Sequence, residues 1–283
     1  MNSKYGIVTV TDSKYLLGTE VLLFSFLKNN REFIGDIIII ESDLKDEEKS
    51  RLMQFPNLYF EKPNQTLLER IEILSNYWPI AGENPKQFYS LETFRFDQYE
   101  KLLFLDSDML CMRNIYHLFH NEIKKPLLVV ADSLSHKNEL REQQTFSPCS
   151  IEDLKDGQEY YKSFNSGFVI LNFKFISSNV YSDLLKMINP ILFHKNQTRH
   201  TDQYILNEYF KKEVDFIEGG YNYLLNVFPK MEIQQIKDPN NRIKIIHYLE
   251  YTKPWTTAEP DNSFGSLWHE YYSELLEQKS DLQ

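Results

Sequence analysis

The sequence predicts an α/β fold, a single Rossmann-like domain with a mainly parallel central sheet flanked by helices. Three observations carry this. Apolar runs of strand length alternate with periodic segments of helix length, the pattern of βαβ units. Two of the runs, Ile37-Ile38-Ile39-Ile40 and Leu102-Leu103-Phe104-Leu105, are apolar at every position, as strands covered on both faces must be. The chain has 283 residues, 42% of them hydrophobic, enough for one large core.

The elements follow in order. Tyr5 to Val10 reads as a first strand and Thr19 to Lys28 as an apolar helix behind it. Asp36 to Ile40 is the second strand. Asp46 to Phe55 is a helix stopped by Pro56, and Leu58 to Phe60 a short strand. A helix is expected over Thr66 to Ser75 and another over Lys86 to Gln98, feeding the strand that ends at Asp106. Leu127 to Ala131 is a strand closing on Asp132. From Ser133 to Ser163 periodicity is lost; so long an irregular stretch usually carries specificity, and it is the expected ligand-facing wall. Strand character resumes at Phe168 to Asn172. Helices are expected near Val180 to Ile188 and Asp202 to Lys211, and a last buried strand at Ile243 to His247. Thr256 to Ser263 is linker-like, and Leu267 to Gln278 can form a closing amphipathic helix. The division expected is a main domain over 1–255 and a linker with a helix over 256–283.

The net charge is −10 and the pI about 5.3, which disfavours sequence-independent nucleic-acid binding. No run has the length or flanks of a signal peptide or membrane helix. Cys111 and Cys149 lack metal-ligand spacing. A cytoplasmic protein, at most peripherally attached to the inner membrane face, is the expectation.

Chemistry gathers first at Asp106-Ser107-Asp108. An apolar strand ends there in two carboxylates one residue apart, which strand alternation would aim the same way. Open α/β sheets bind ligands at that edge. Paired hard oxygen donors suit Mg²⁺ or Mn²⁺, which commonly binds one or two carboxylates together with substrate phosphates. His247 ends a later strand, and Lys253-Pro254-Trp255 follows, where a Lys can hold a diphosphate as a point charge. Phe164-Asn165-Ser166-Gly167 reads as a turn entering a strand. Thr201-Asp202-Gln203 reads as a helix start, with Thr201 or Asp202 as cap.

In order along the chain, these residues resemble glycosyltransferase family 8, the family of glycogenin and lipopolysaccharide galactosyltransferases. The matching segments are Thr9-Val10-Thr11-Asp12 with Tyr15, Tyr99 to Asp108, Phe164 to Gly167, Asp202 to Asn207, and His247 to Trp255. The resemblance implies a GT-A fold and a retaining transfer of galactose or glucose from UDP-galactose or UDP-glucose to a glycan, glycolipid or glycoprotein hydroxyl. It implies that Asp106, Asp108 and His247 bind Mn²⁺ or Mg²⁺ and that Lys253 meets the diphosphate. Thr9, Thr11, Asp12 and Tyr15 would face the uridine, and Ser107 and Ser166 would also line the donor site. Asp132, Asn165, Asp202 and Gln203 would surround the donor sugar, with Gln203 nearest the anomeric carbon. Two positions depart from the family: Ser90 stands where Arg or Lys is usual, and Glu250 where Gly is.

An amide is a poor nucleophile, so Gln203 favours front-face attack over a covalent intermediate on Asp202. Two other classes compete. Haloacid-dehalogenase-like phosphohydrolases also end a strand in Asp-x-Asp, though near the N-terminus. A non-catalytic nucleotide-sugar-binding module would bind UDP and release nothing. A nucleotidyltransferase would need a Gly-rich loop after the first strand, and Val8 to Asp12 contains no Gly.

Overall fold

The computed structural model describes residues 4–79, 83–132, 163–196, 198, 200–211, 213–225, 232–249, 253–256 and 263–280. Of the expected wall at Ser133 to Ser163 only Ser163 is among them, and Glu250 lies outside them.

Seven strands form the main sheet: β1 (Tyr5–Thr11), β2 (Asp36–Glu41), β3 (Leu58–Glu61), β4 (Lys101–Leu105), β6 (Leu127–Ala131), β7 (Phe164–Asn172) and β8 (Val214–Ile217). Their order across the sheet is β3-β2-β1-β4-β7-β6-β8. A second sheet, ordered β5-β10-β9, joins β5 (Met109–Cys111), β9 (Tyr223–Leu224) and β10 (Ile245–His247). The main sheet is parallel except for β7, which runs against both β4 and β6. A reversed strand begins where its neighbours end. Phe168 therefore pairs with Leu105, and Phe164 with Ala131, at the edge where Asp106 and Asp132 leave the sheet.

Strand alternation splits the core in two. Ile37 and Ile39 pack on one face with Leu103 and Leu105, while Ile38 and Ile40 pack on the other with Leu102 and Phe104. The first face is covered by α1 (Leu16–Asn29), which is apolar on nearly all sides because it is itself covered. Its cover is the C-terminal helix Ser263–Ser280, whose Phe264, Leu267, Trp268 and Leu275 are buried in the same core. No helix among the described residues is long and apolar enough to cross a membrane.

Several expectations change. The Lys86–Gln98 helix is a 3-10 helix over Pro85–Arg95. Phe164 to Gly167 is not a turn but the first part of β7; Asn-Ser-Gly is good turn chemistry, and ladder pairing to β4 and β6 overrides it. Thr201 makes no side-chain cap, its hydroxyl lying instead against Gln87 and Asp202. Strands β5, β8 and β9 and the helices Pro190–Asn196 and Ile233–Lys237 were not foreseen, being too short to show a period.

Glu41, buried at the end of β2, holds this corner together. Its Oε1 lies 2.9 Å from Lys49 Nζ and 2.8 Å from Lys62 Nζ, and Leu44 N–H donates to Oε2. Burial alone would raise its pKa, but the two lysines and the N–H outweigh it and the pKa is lowered. A lowered folded pKa contributes stability at neutral pH that is lost as pH falls through that pKa. Glu41→Gln is expected to cost about 2 kcal/mol at pH 7. Urea titrations should show the gap to wild type closing below about pH 4, where the unfolded-state carboxylate also protonates.

Candidate active site at the sheet edge

Asp106 and Asp108 sit in the turn between β4 and β5 rather than on a strand, so strand alternation is not what aligns them. Their place is set by backbone bonds. Asp106 N–H donates to Gly167 O at 2.9 Å, and Tyr248 N–H donates to Asp108 O at 2.9 Å. The antiparallel pairing of β5 with β10 sets His247 opposite Met109. His247 Nε2 then lies 3.1 Å from Asp108 Oδ1 and 3.6 Å from Asp106 Oδ2. One ligand atom from each of the three residues falls within 4.8 Å of the others.

Two features fit this cluster to a divalent cation. His247 is fully buried, yet its Nε2 makes no hydrogen bond. Gly167 presses its backbone against the cluster: a Cβ there would fall 2.6 Å from both Asp106 Oδ2 and His247 Cε1. Two carboxylates and an imidazole form a donor set suited to a metal such as Mn²⁺ or Mg²⁺.

The charges are coupled. Burial, reinforced by Asp108 and Asp202 and opposed by His247 and Lys253, pushes Asp106 up to about 7. Burial would raise Asp108 too, but His247 and Lys253 hold it well below the usual carboxylate range. Lys253 Nζ donates to Asp108 Oδ2 at 2.7 Å and to Tyr248 O at 2.6 Å. Lys253 is fixed by its neighbours. Trp255 Nε1 donates to Lys14 O at 3.0 Å, and the Trp255 ring meets Tyr15 and Trp268. Tyr15 is pushed up to about 12 by burial and then by Asp108, Asp12 and Asp106, and Lys253 Nζ lies 5.9 Å from the centre of its ring.

A second group lies beside the first. Asp202 accepts from Ser90 Oγ at 2.8 Å and Thr201 Oγ1 at 2.9 Å, and Ser166 also bonds it. Burial raises its pKa. Ser90, the position where the family usually carries a cation, is thus a neutral donor to this carboxylate. Gln203 is pinned at both ends of its amide. Its Oε1 accepts from Asn165 Nδ2 at 3.1 Å and Ser166 N–H at 3.3 Å, and its Nε2 donates to Asp132 Oδ2 at 2.8 Å.

The residues expected at the uridine are only partly committed to one another. Asp12 Oδ1 accepts from the Lys14 and Tyr15 N–H groups, and Lys86 Nζ sits 3.0 Å from Oδ2. The Thr11 hydroxyl accepts from Thr19 at 2.6 Å. Thr9 Oγ1 is buried without a partner. Ser107 is buried in the turn between the two aspartates.

Sequence reasoning missed Asn222 and Lys86. Asn222 follows a Gly-Gly-Tyr turn and is fully buried between Asn165 and His247. A Gly-Gly pair leading into a polar residue amid aromatics was the only trace of it. Lys86, one turn before Ser90, bridges Asp12 and Asp43.

Comparison with known proteins supplies the family. The chain is 24% identical to glycosyltransferase GlyF of Streptococcus pneumoniae serotype 4, over 98% of this chain and 64% of GlyF. It is 24% identical to lipopolysaccharide 1,2-glucosyltransferase of Escherichia coli K12, over 90% of this chain and 72% of that enzyme. A solved structure of the galactosyltransferase LgtC in complex with donor and acceptor sugar analogs superposes with a TM-score of 0.67 at 18% identity, covering 95% of each chain. The fold is the GT-A fold of that neighbour. The family described as Glycosyl transferase family 8 matches residues 6–259, and with the acidic cluster and pinned amide already at the sheet edge, this chain belongs to glycosyltransferase family 8.

Proposed function

We propose that this glycosyltransferase moves galactose or glucose from a UDP-sugar to a glycan, glycolipid or glycoprotein hydroxyl, with retention at the anomeric carbon and a divalent metal bound. The observation that carries this reading is the convergence of Asp106, Asp108 and His247 beside Lys253 and the pinned Gln203. Asp106, Asp108 and His247 would hold Mn²⁺ or Mg²⁺, which when bound neutralises charge on the leaving diphosphate.

The chain's own groups do the rest. Lys253 brings a cation to the place where negative charge grows as the glycosidic bond stretches, so it favours the transition state over the ground state. To reach the diphosphate it exchanges its contact with Asp108. Thr9, Thr11, Asp12 and Tyr15 would bind the uridine, with Ser107 and Ser166 lining the path to the sugar. Asp132, Asn165, Asp202 and Gln203 would orient the sugar. Both ends of the Gln203 amide are spent on hydrogen bonds, and Asp202 is engaged by neutral donors, so neither offers a free nucleophile. This supports front-face attack, with the acceptor hydroxyl entering on the side the diphosphate leaves and giving its proton to a diphosphate oxygen.

In this reading residues 1–255 carry the chemistry. The helix of the 256–283 segment steadies Lys253, since His269 Nε2 contacts Pro254 O at 3.0 Å. A cytoplasmic site of action accords with a cytosolic nucleotide-sugar supply. The family match removes the phosphohydrolase alternative.

The test is incubation with a panel of UDP-sugars, with Mn²⁺ or with a chelator, and measurement of released UDP. Release should need Mn²⁺ and peak with UDP-galactose or UDP-glucose. UDP binding without release from any donor, acceptor present or absent, would leave a binding module in place of the enzyme.

A further inference from the structure

We propose that Asn222 is the positioning residue that sets His247 for metal binding, by fixing which ring nitrogen carries the proton. The proposal rests on the metal reading above and extends it to a side chain that touches neither metal nor substrate.

The argument follows hydrogen bonds whose direction is forced. Gly167 N–H can only donate, and it lies 3.0 Å from one end of the Asn165 amide, so that end is the oxygen. The Asn222 amide lies 2.8 Å from the same oxygen, so it presents its NH₂ there. Its oxygen therefore faces the other way, 2.9 Å from His247 Nδ1. An amide oxygen only accepts, so Nδ1 must carry a proton. In the neutral ring the lone pair is then left on Nε2, the nitrogen that faces Asp106 and Asp108. Nε2 is buried and makes no hydrogen bond. A lone pair turned toward two carboxylate oxygens is repulsive unless a positive charge lies among them.

The backbone keeps this arrangement from drifting. Tyr223 and Leu224 pair with Ile246 and His247, so the residue before β9 is tied to the strand that bears the imidazole. Lys244 N–H donates to Gly220 O at 2.7 Å. A Cβ on Gly220 would meet Arg242 O at 2.2 Å, so the turn preceding Asn222 lies tight against the approach to β10. The same amide chain continues through Asn165 to Gln203 and Asp132, so Asn222 joins the metal cluster to the residues around the donor sugar.

The experiment measures Mn²⁺ binding alone, by the loss of the free-ion electron paramagnetic resonance signal, with no nucleotide sugar present. Asn222→Leu keeps the branched shape and removes the acceptor. It is expected to bind Mn²⁺ about 10–100-fold more weakly than wild type, with an unchanged circular dichroism spectrum. Asn222→Asp restores an acceptor for the Nδ1 proton but cannot donate to Asn165. It is expected to hold Mn²⁺ within a few-fold of wild type while raising KM for the sugar donor. Equal Mn²⁺ affinity in wild type and Asn222→Leu, or equal weakening in both variants, overturns the proposal and spares the metal site. Wild type that binds Mn²⁺ no better than Asp108→Asn overturns the metal reading itself, and this proposal with it. A direct check needs no variant: nitrogen-15 correlation spectra of the metal-free protein should show the His247 proton on Nδ1, and a proton found only on Nε2 overturns the assignment.

Discussion

Asp108→Asn is expected to lower turnover about a thousandfold while leaving the fold intact, on the scale expected for loss of a group that acts with a bound metal. The substitution keeps size and shape, so the Tyr248 N–H bond to the residue 108 carbonyl survives. What disappears is the carboxylate that His247 and Lys253 keep ionised. Lys253 Nζ, 2.7 Å from the Asp108 carboxylate, would then face a cluster with a single carboxylate, and a divalent cation entering it would meet an ammonium instead of an ion pair. Asp106→Asn should act in the same direction. Raising Mn²⁺ separates lost affinity from lost chemistry: recovery at high Mn²⁺ assigns the defect to binding, and a persistent fall in kcat assigns it to the transition state. Unchanged sugar transfer by the purified Asp108→Asn protein would defeat the metal reading.

Gly167→Ala should be nearly as damaging, although it removes no functional group. The added methyl would lie 2.6 Å from Asp106 Oδ2, 2.6 Å from His247 Cε1 and 2.9 Å from Asn165 Oδ1. Two of these atoms cannot yield cheaply: His247 is held through Nδ1 by Asn222, and Asn165 Oδ1 by two donors. The cluster must spread by several tenths of an ångström. A misplacement of about 1 Å at a reacting centre costs about a hundredfold in rate, which sets the upper scale of the expected loss. The measurement is kcat together with Mn²⁺ affinity, with thermal unfolding as the control for the fold. Wild-type values for both would mean that the close packing at Gly167 has no part in the chemistry.

These two positions differ in how visible they were beforehand. Asp108 stands out in the sequence because an apolar strand ends in two carboxylates, a local pattern. Gly167 was legible only as part of an Asn-Ser-Gly segment whose local preference is a turn. It became the start of β7 because pairing with β4 and β6 satisfies more backbone groups than a turn would. Short strands such as β5 and β9 were missed for a similar reason, since two or three residues show no period. The carboxylate pair is legible in the sequence, but strand alternation does not align it: a turn and two long-range backbone bonds do. Asn222 was missed because its value lies wholly in its partners.

The residue types and their order along the chain were enough to establish an α/β fold with buried strands at Ile37–Ile40 and Leu102–Leu105, and to single out Asp106, Asp108, His247, Lys253 and Gln203. These are local properties: apolarity at successive positions, and chemistry at strand ends. The direction of β7, the meeting of His247 with residues about 140 positions earlier, and the orientation of each amide from Asp132 to Asn222 were decided only in three dimensions. Strand direction and hydrogen-bond polarity depend on which backbone groups are left to be satisfied once the sheet has assembled, and no local stretch of sequence contains that information.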